Sequence, residues 1–280
     1  MKPILKIPLL ILGAITFFLL IIFIPGYGKA PCQDPIAFNP PEAPEFTGVL
    51  APNTGLLSAQ RLLDTQVYGP EDVILDKNGT LFIANHDGVI FRYEAGSEHP
   101  EVFFKSEGRP LGLRFDKNGN LIACHTHLGL ISIDPSGSVT VLVPNGDTFH
   151  LIDDLTISSE DVVYFTDATQ FNGLNSFYYD ILLHKPLGSI WRYDLQNGNL
   201  QLVADGLYFA NGLHLIEDES AILVNETAIY RITRISLEAE TFGESSVFLD
   251  NLPGFPDGLD GSADGNIEYF GRNDFQVKIR

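Results

Sequence analysis

The chain repeats itself in a fixed register. Residues 71–79 read EDVILDKNG, 111–119 LGLRFDKNG and 153–161 DDLTISSED, followed by NGLHLIEDE at 211–219 and DGLDGSADG at 257–265. The third residue of every window is apolar (Val73, Leu113, Leu155, Leu213, Leu259), and so is the fifth in four of them (Leu75, Phe115, Ile157, Leu215). Alternation of this kind, closed by a polar turn, predicts a strand with one buried face. Further apolar runs follow at 81–84, 121–123, 162–165 and 221–224, and again at 88–93, 129–133 and 188–193. Short strands recurring about every 40–45 residues predict an all-β fold of propeller blades. The interval from the third window to the fourth is longer, at 58 residues, which predicts an insertion near Thr169–Pro186. Its aromatic residues, among them Phe171, Phe177, Tyr178 and Tyr179, are expected to fold over the propeller mouth.

The first column of the repeat carries the chemistry. It holds Glu71, Leu111, Asp153, Asn211 and Asp257. The innermost strands of a propeller line its central channel, so equivalent positions at their starts converge on the axis. Three carboxylates aimed at one another repel strongly unless a cation lies between them. Oxygen ligands without thiolate or imidazole favour calcium, with magnesium or manganese as lesser options. A plainer alternative is a set of solvated strand-entry turns, since Asp-Gly and Asn-Gly are common turn dipeptides.

Composition agrees with a cation-collecting role and excludes another. The 280 residues include 17 Lys or Arg and 36 Asp or Glu, a formal charge of −19. Nucleic-acid binding needs clustered basic residues, so it is not expected. The same acidity also serves as an ordinary solubility device. Two cysteines, Cys32 and Cys124, are too few for a disulfide scaffold or a thiolate zinc site; one disulfide or two free thiols are both open. Trp191 reads as a blade-packing residue.

The N-terminus predicts a membrane anchor. Residues 7–24 carry no charge, and as a helix they would cover about 27 Å, close to the hydrocarbon thickness. The run is long for a signal peptide, and Pro31 makes a poor cleavage context, so an uncleaved signal anchor is expected. Lys2 and Lys6 keep the tail, residues 1–6, cytoplasmic and send the rest across the membrane to the lumenal or extracytoplasmic side. A Pro-rich linker at 25–45 would hold the propeller domain, 46–280, off the bilayer. Asn78-Gly-Thr80 and Asn225-Glu-Thr227 match the glycan acceptor pattern.

Several blocks also carry a family likeness. Gly69-Pro-Glu71, residues 108–113 (GRPLGL), 164–167 (YFTD), 205–212 (DGLYFANG), 230–232 (YRI) and 251–258 (NLPGFPDG) resemble the strictosidine synthase-like proteins. Within that group the chain is similar to the adipocyte plasma membrane-associated proteins, which also carry an N-terminal anchor. These sit with the SMP-30/gluconolactonase and paraoxonase-type calcium hydrolases, whose fold is a six-bladed propeller. The resemblance implies an axial calcium held by Glu71, Asn211 and Asp257. It places a further ligand at Asp153, where relatives commonly show Asn.

The departures matter as much. Leu111 stands where paraoxonases place a catalytic His, so a His-assisted mechanism does not transfer. His125 and His127 lie in a segment that differs from the relatives, and one of them is a candidate proton acceptor near the mouth. After Ile267 the family pattern is lost, and the length suits about five blades. An incomplete propeller of four to five blades, shortened at its C-terminus, is therefore expected.

The leading functional expectation is a calcium-dependent hydrolase of esters or lactones. Asp153 would hold the ion or activate water, with Asp154 supporting it, and the substrate pocket would use Leu111, His125, His127, Phe171 and Tyr178. A membrane-tethered binding propeller with a structural ion is the alternative from another class. Strictosidine-type amine–aldehyde condensation is the weakest reading, because the late-blade Glu that it uses in the family is not found here. The sequence does not set the oligomeric state.

Overall fold

The computed structural model describes residues 34–42, 44–52, 54–170, 176–216, 218–261, 267–272 and 275–279. The predicted anchor at 7–24, Cys32 and Phe171 lie outside these residues. Among the described residues no helix is long and apolar enough to cross a membrane.

The repeat folds as antiparallel sheets in chain order. The first blade is β1 (Val73–Leu75), β2 (Leu81–Ala84), β3 (Val89–Tyr93) and β4 (Glu101–Lys105). The second is β5 (Pro110–Phe115), β6 (Leu121–His125), β7 (Gly129–Ile133) and β8 (Val139–Val143). The third is β9 (Ile152–Ile157), β10 (Val162–Asp167), β11 (Gly188–Asp194) and β12 (Leu200–Leu207). The fourth is β13 (Ala210–Ile216), β14 (Ala221–Glu226), β15 (Arg231–Ser236) and β16 (Ser245–Leu249). Three strands make the last described sheet: β17 (Phe255–Gly261), β18 (Ile267–Arg272) and β19 (Phe275–Ile279).

The recurring Asp-x-x-Gly segments explain the tight hairpins. Asp76 Oδ1 accepts the backbone N–H groups of Asn78 and Thr80, and Asp116 does the same for Asn118 and Asn120. Gly79 and Gly119 close these turns at φ +85° and +83°, a region that glycine enters without a Cβ penalty.

Apolar residues between successive blades form the core. Phe82, Ile90, Leu113 and Leu121 join the first two blades, and Ile122, Leu130, Leu155 and Phe165 join the next pair. Ile190, Leu213 and Val224 continue the series, and Leu223, Ile232 and Leu259 end it. Trp191 packs edge-on against Phe149 at 5.1 Å, and its indole N–H donates to Ser189 Oγ. Cys124 is a free thiol buried in β6.

One column departs from the pattern. Leu113, Leu155, Leu213 and Leu259 are buried, whereas Val73 and Leu75 are 53% and 60% exposed. Ile74 between them packs toward the second blade, so alternation turns Val73 and Leu75 to the opposite face of β1.

Four of the five inner strands, all but β1, share a bulge that the repeat does not announce. Between Pro110 and Leu113 three residue steps of β5 oppose two of β6, and the same offset recurs in β9, β13 and β17. The extra residue falls on the first two columns, 111–112, 153–154, 211–212 and 257–258. A bulge breaks the strict alternation of faces and re-aims side chains.

Candidate functional site

All four oxygen-bearing residues of the first column line one channel cavity of about 550 Å³: Glu71, Asp153, Asn211 and Asp257. The same four also line a second cavity of about 400 Å³ at the mouth. They therefore form the boundary between the two. Leu111, Leu151, Phe209 and Phe255 make the apolar wall of the mouth chamber.

The insertion contributes the helix α1 (Phe177–Leu183) to that wall. Phe177 and Ile181 pack on the core, with Phe177 stacked obliquely 6.0 Å from Phe209. Tyr178 and Leu182, 46% and 58% exposed, also line the chamber. Exposed apolar side chains over a cavity are surface that a ligand can cover.

Charge in the channel is unbalanced. Glu71, Asp72, Asp153, Asp154, Asp257 and Asp260 line it, against Arg109 and Arg114. Burial pushes the Asp153 carboxyl well above its usual range, and the charges of Glu71, Asp257 and Asp154 push it further; Arg109 opposes them. Arg109 forms an ion pair with Glu71, and its Nη2 also donates to Gly69 O at 3.3 Å. The Asn211 amide donates to Asp257 Oδ1 at 2.8 Å, tying the fourth blade to the fifth.

The second column is a set of staples. Asp72 Oδ1 accepts the N–H of Val73, and its Oδ2 accepts that of Leu113 in the next blade. Asp154 repeats the arrangement with Leu155 and Leu213. Arg114 completes the layer through Asp72 at 2.9 Å. At Gly112 in the same column space excludes a side chain: a Cβ there would stand 2.4 Å from Asp154 Oδ1. Asp154, expected to support catalysis, thus commits both carboxylate oxygens to backbone. Burial raises its pKa, and Arg114 opposes that rise.

His125 and His127, expected at the pocket, line neither chamber. His125 is fully buried in β6. Its Nδ1 accepts the N–H groups of His127 and Leu128 at 3.2 Å, so Nε2 carries the proton and donates to Ser106 Oγ at 2.8 Å. Burial, then the neighbouring His127, lowers its pKa from 6.5 to about 4. A neutral buried histidine contributes stability above pH 6.5 that is lost as pH falls toward 4, up to about 3 kcal/mol. Denaturant unfolding at pH 7 and pH 4.5 is expected to show a steeper loss for the wild type than for His125→Gln. Equal losses would contradict this role.

Among the described residues no group of three or more His, Cys, Asp and Glu is drawn together as a finished metal site. The orientations explain why: Glu71 is turned onto Arg109, and Asp257 accepts from the Asn211 amide.

This fold is that of the gluconolactonase-like propellers. A gluconolactonase from Xanthomonas campestris superposes with a TM-score of 0.61 at 19% identity, covering 76% of each chain. A calcium-binding regucalcin from Agrobacterium tumefaciens gives 0.57 at 17%, covering 74% of this chain and 68% of its own. At these identities the likeness is one of fold.

Sequence narrows the class. A strictosidine synthase model matches residues 153–240, and a strictosidine synthase-like N-terminal model matches 48–93. The adipocyte plasma membrane-associated protein of Rattus norvegicus is 32% identical over 250 residues, covering 83% of this chain and 66% of the relative. Hemomucin of Drosophila melanogaster is 32% identical over 279 residues, covering 91% and 47%. The chain belongs to the strictosidine synthase-like family, and it spans about half to two-thirds of the length of these relatives.

Proposed function

We propose that the protein is a membrane-anchored, calcium-dependent hydrolase of esters or lactones. The observation that carries this reading is the position of Glu71, Asp153, Asn211 and Asp257 on the boundary of a polar channel and an apolar chamber. Their donors are hard oxygens, and the charges fit a divalent ion. With a cation present to hold Asp153 ionised, Glu71, Asp153 and Asp257 carry three negative charges, Arg109 offsets one, and a divalent cation neutralises the remainder.

A divalent ion bound there would polarise a substrate carbonyl and stabilise the negative charge that grows on its oxygen. The chain's own groups supply the rest. Phe209, Phe255 and the insertion helix take the apolar part of the substrate and exclude water. Asp153 holds the ion or accepts the proton of the attacking water. Arg109, paired with Glu71 until the ion takes that carboxylate, keeps the local charge near neutral.

A panel of aryl esters and lactones, assayed with calcium and with chelator, tests the reading. Turnover that disappears with chelator supports it. Calcium binding without turnover on any member would favour the tethered binding propeller instead.

Residues 7–24 would provide the anchor, with the propeller on the lumenal side. Routed through a eukaryotic secretory pathway, the chain is expected to carry glycan at Asn78 and none at Asn225. Asn78 lies on an exposed hairpin, whereas Asn225 is fully buried. A glycosidase mobility shift abolished by Asn78→Gln is the expected result; a shift that survives it would contradict this placement.

A further inference from the structure

Asn225-Glu-Thr227 reads as a glycan acceptor in sequence, but its side chains face inward. Asn225 Nδ2 donates to Asp257 O at 2.9 Å and to Gly258 O at 3.1 Å. Thr227 Oγ1 donates to Pro256 O at 2.6 Å in a buried hydrogen bond. Two side chains of the fourth blade thus grip three consecutive carbonyls of the fifth. Only the amide NH₂ can serve two carbonyl oxygens, so the orientation of Asn225 is fixed by its partners.

The gripped segment is the one that presents Asp257. It begins β17 at the bulge, where the regular ladder to β18 shifts register between Pro256 and Leu259. The ladder alone therefore leaves these carbonyls to other donors. Gly212 closes the same contact from the fourth blade: a Cβ there would stand 2.6 Å from Asp257 O and 2.3 Å from Leu259 N.

We infer that Asn225 and Thr227 are positioning residues that set the Asp257 carboxylate for cation binding. The inference rests on the proposed calcium site. Outer partners that orient a ligand commonly change metal affinity by about 10–100-fold when lost. Thr227→Val keeps the shape and removes the donor; Thr227→Ser keeps the donor.

The experiment is calcium titration of the full chain by calorimetry, with thermal unfolding in chelator measured alongside. Expected is at least about a tenfold loss of calcium affinity in Thr227→Val and in Asn225→Asp, with recovery in Thr227→Ser. In chelator Thr227→Val should melt only a few degrees below Thr227→Ser, the cost of one buried hydrogen bond, and remain folded at the titration temperature. Wild-type affinity in Thr227→Val overturns the inference and leaves the calcium site standing. Failure of Thr227→Ser to recover, or a Thr227→Val that melts well below it, also overturns it by making the role merely structural. A wild-type chain that takes up no calcium overturns the site itself, and the inference with it.

Discussion

Asp257→Asn is expected to abolish calcium binding and to lower ester or lactone turnover by about a thousandfold or more. The substitution is nearly isosteric, and the new amide oxygen can still accept the Asn211 N–H that Asp257 Oδ1 accepts now. The fold is therefore retained while one charge is removed from the ring. That charge is one of those that push Asp153 upward. Its loss should relieve repulsion, so the variant should unfold in chelator at or above the wild-type temperature.

Calcium should reverse the order. An ion that binds only the folded state stabilises it by mass action, and only the wild type keeps the full ligand set. Turnover equal to wild type in Asp257→Asn, with no calcium bound, would refute the catalytic reading. A variant that melts far below wild type in chelator would make Asp257 a structural residue.

Gly212→Ala is expected to cost about 3 kcal/mol or more, which for a domain of this size lowers the melting temperature by roughly 6–12 °C. The added Cβ would meet Leu259 N at 2.3 Å and Asp257 O at 2.6 Å, both backbone atoms that cannot swing aside. The fourth and fifth inner strands would have to separate, and Asn211 and Asp257 ride on them. Stability and calcium affinity should therefore fall together.

Gly79 supplies the contrast. It sits at φ +85° with nothing within 4 Å of a new Cβ, so Gly79→Ala meets only the backbone penalty of about 1 kcal/mol and leaves calcium affinity unchanged. Melting of Gly212→Ala at the wild-type temperature would show that the blades do not meet as described.

The repeat was the most legible feature of the chain. Apolar residues at Leu113, Leu155, Leu213 and Leu259 announce strands packed between blades, and the Asp-Lys-Asn-Gly segments announce their turns. The convergence of Glu71, Asp153, Asn211 and Asp257 on one cavity could be read from register alone, because equivalent strand starts face one axis. What the four hold there is a separate matter of chemistry.

The neighbouring column was not legible. Strict alternation would turn Asp154 away from Asp153 beside it, and the bulge that brings both into the channel is a backbone event. A signal existed in hindsight of the geometry: Asp at 72 and 154 alternates with Gly at 112 and 212, and Asp154 fills the space that Gly112 leaves. His125 failed for a different reason. Its sequence context offers an imidazole near a turn, but the turn takes Nδ1 as its own hydrogen-bond acceptor. Asn225 was misleading in the opposite direction, a surface-type motif whose donors serve the interior. Arg109, whose pairing with Glu71 bears directly on the charge of the site, carried no signal in the repeat because it precedes the first column.

The most direct test of the axial cation site is a crystal structure of the protein grown with calcium, with anomalous scattering used to locate the ion. The account predicts one site on the channel axis, with oxygens of Glu71, Asp153, Asn211 and Asp257 about 2.3–2.6 Å from it and Glu71 released from Arg109. Saturating calcium with no ion among these four residues would contradict it.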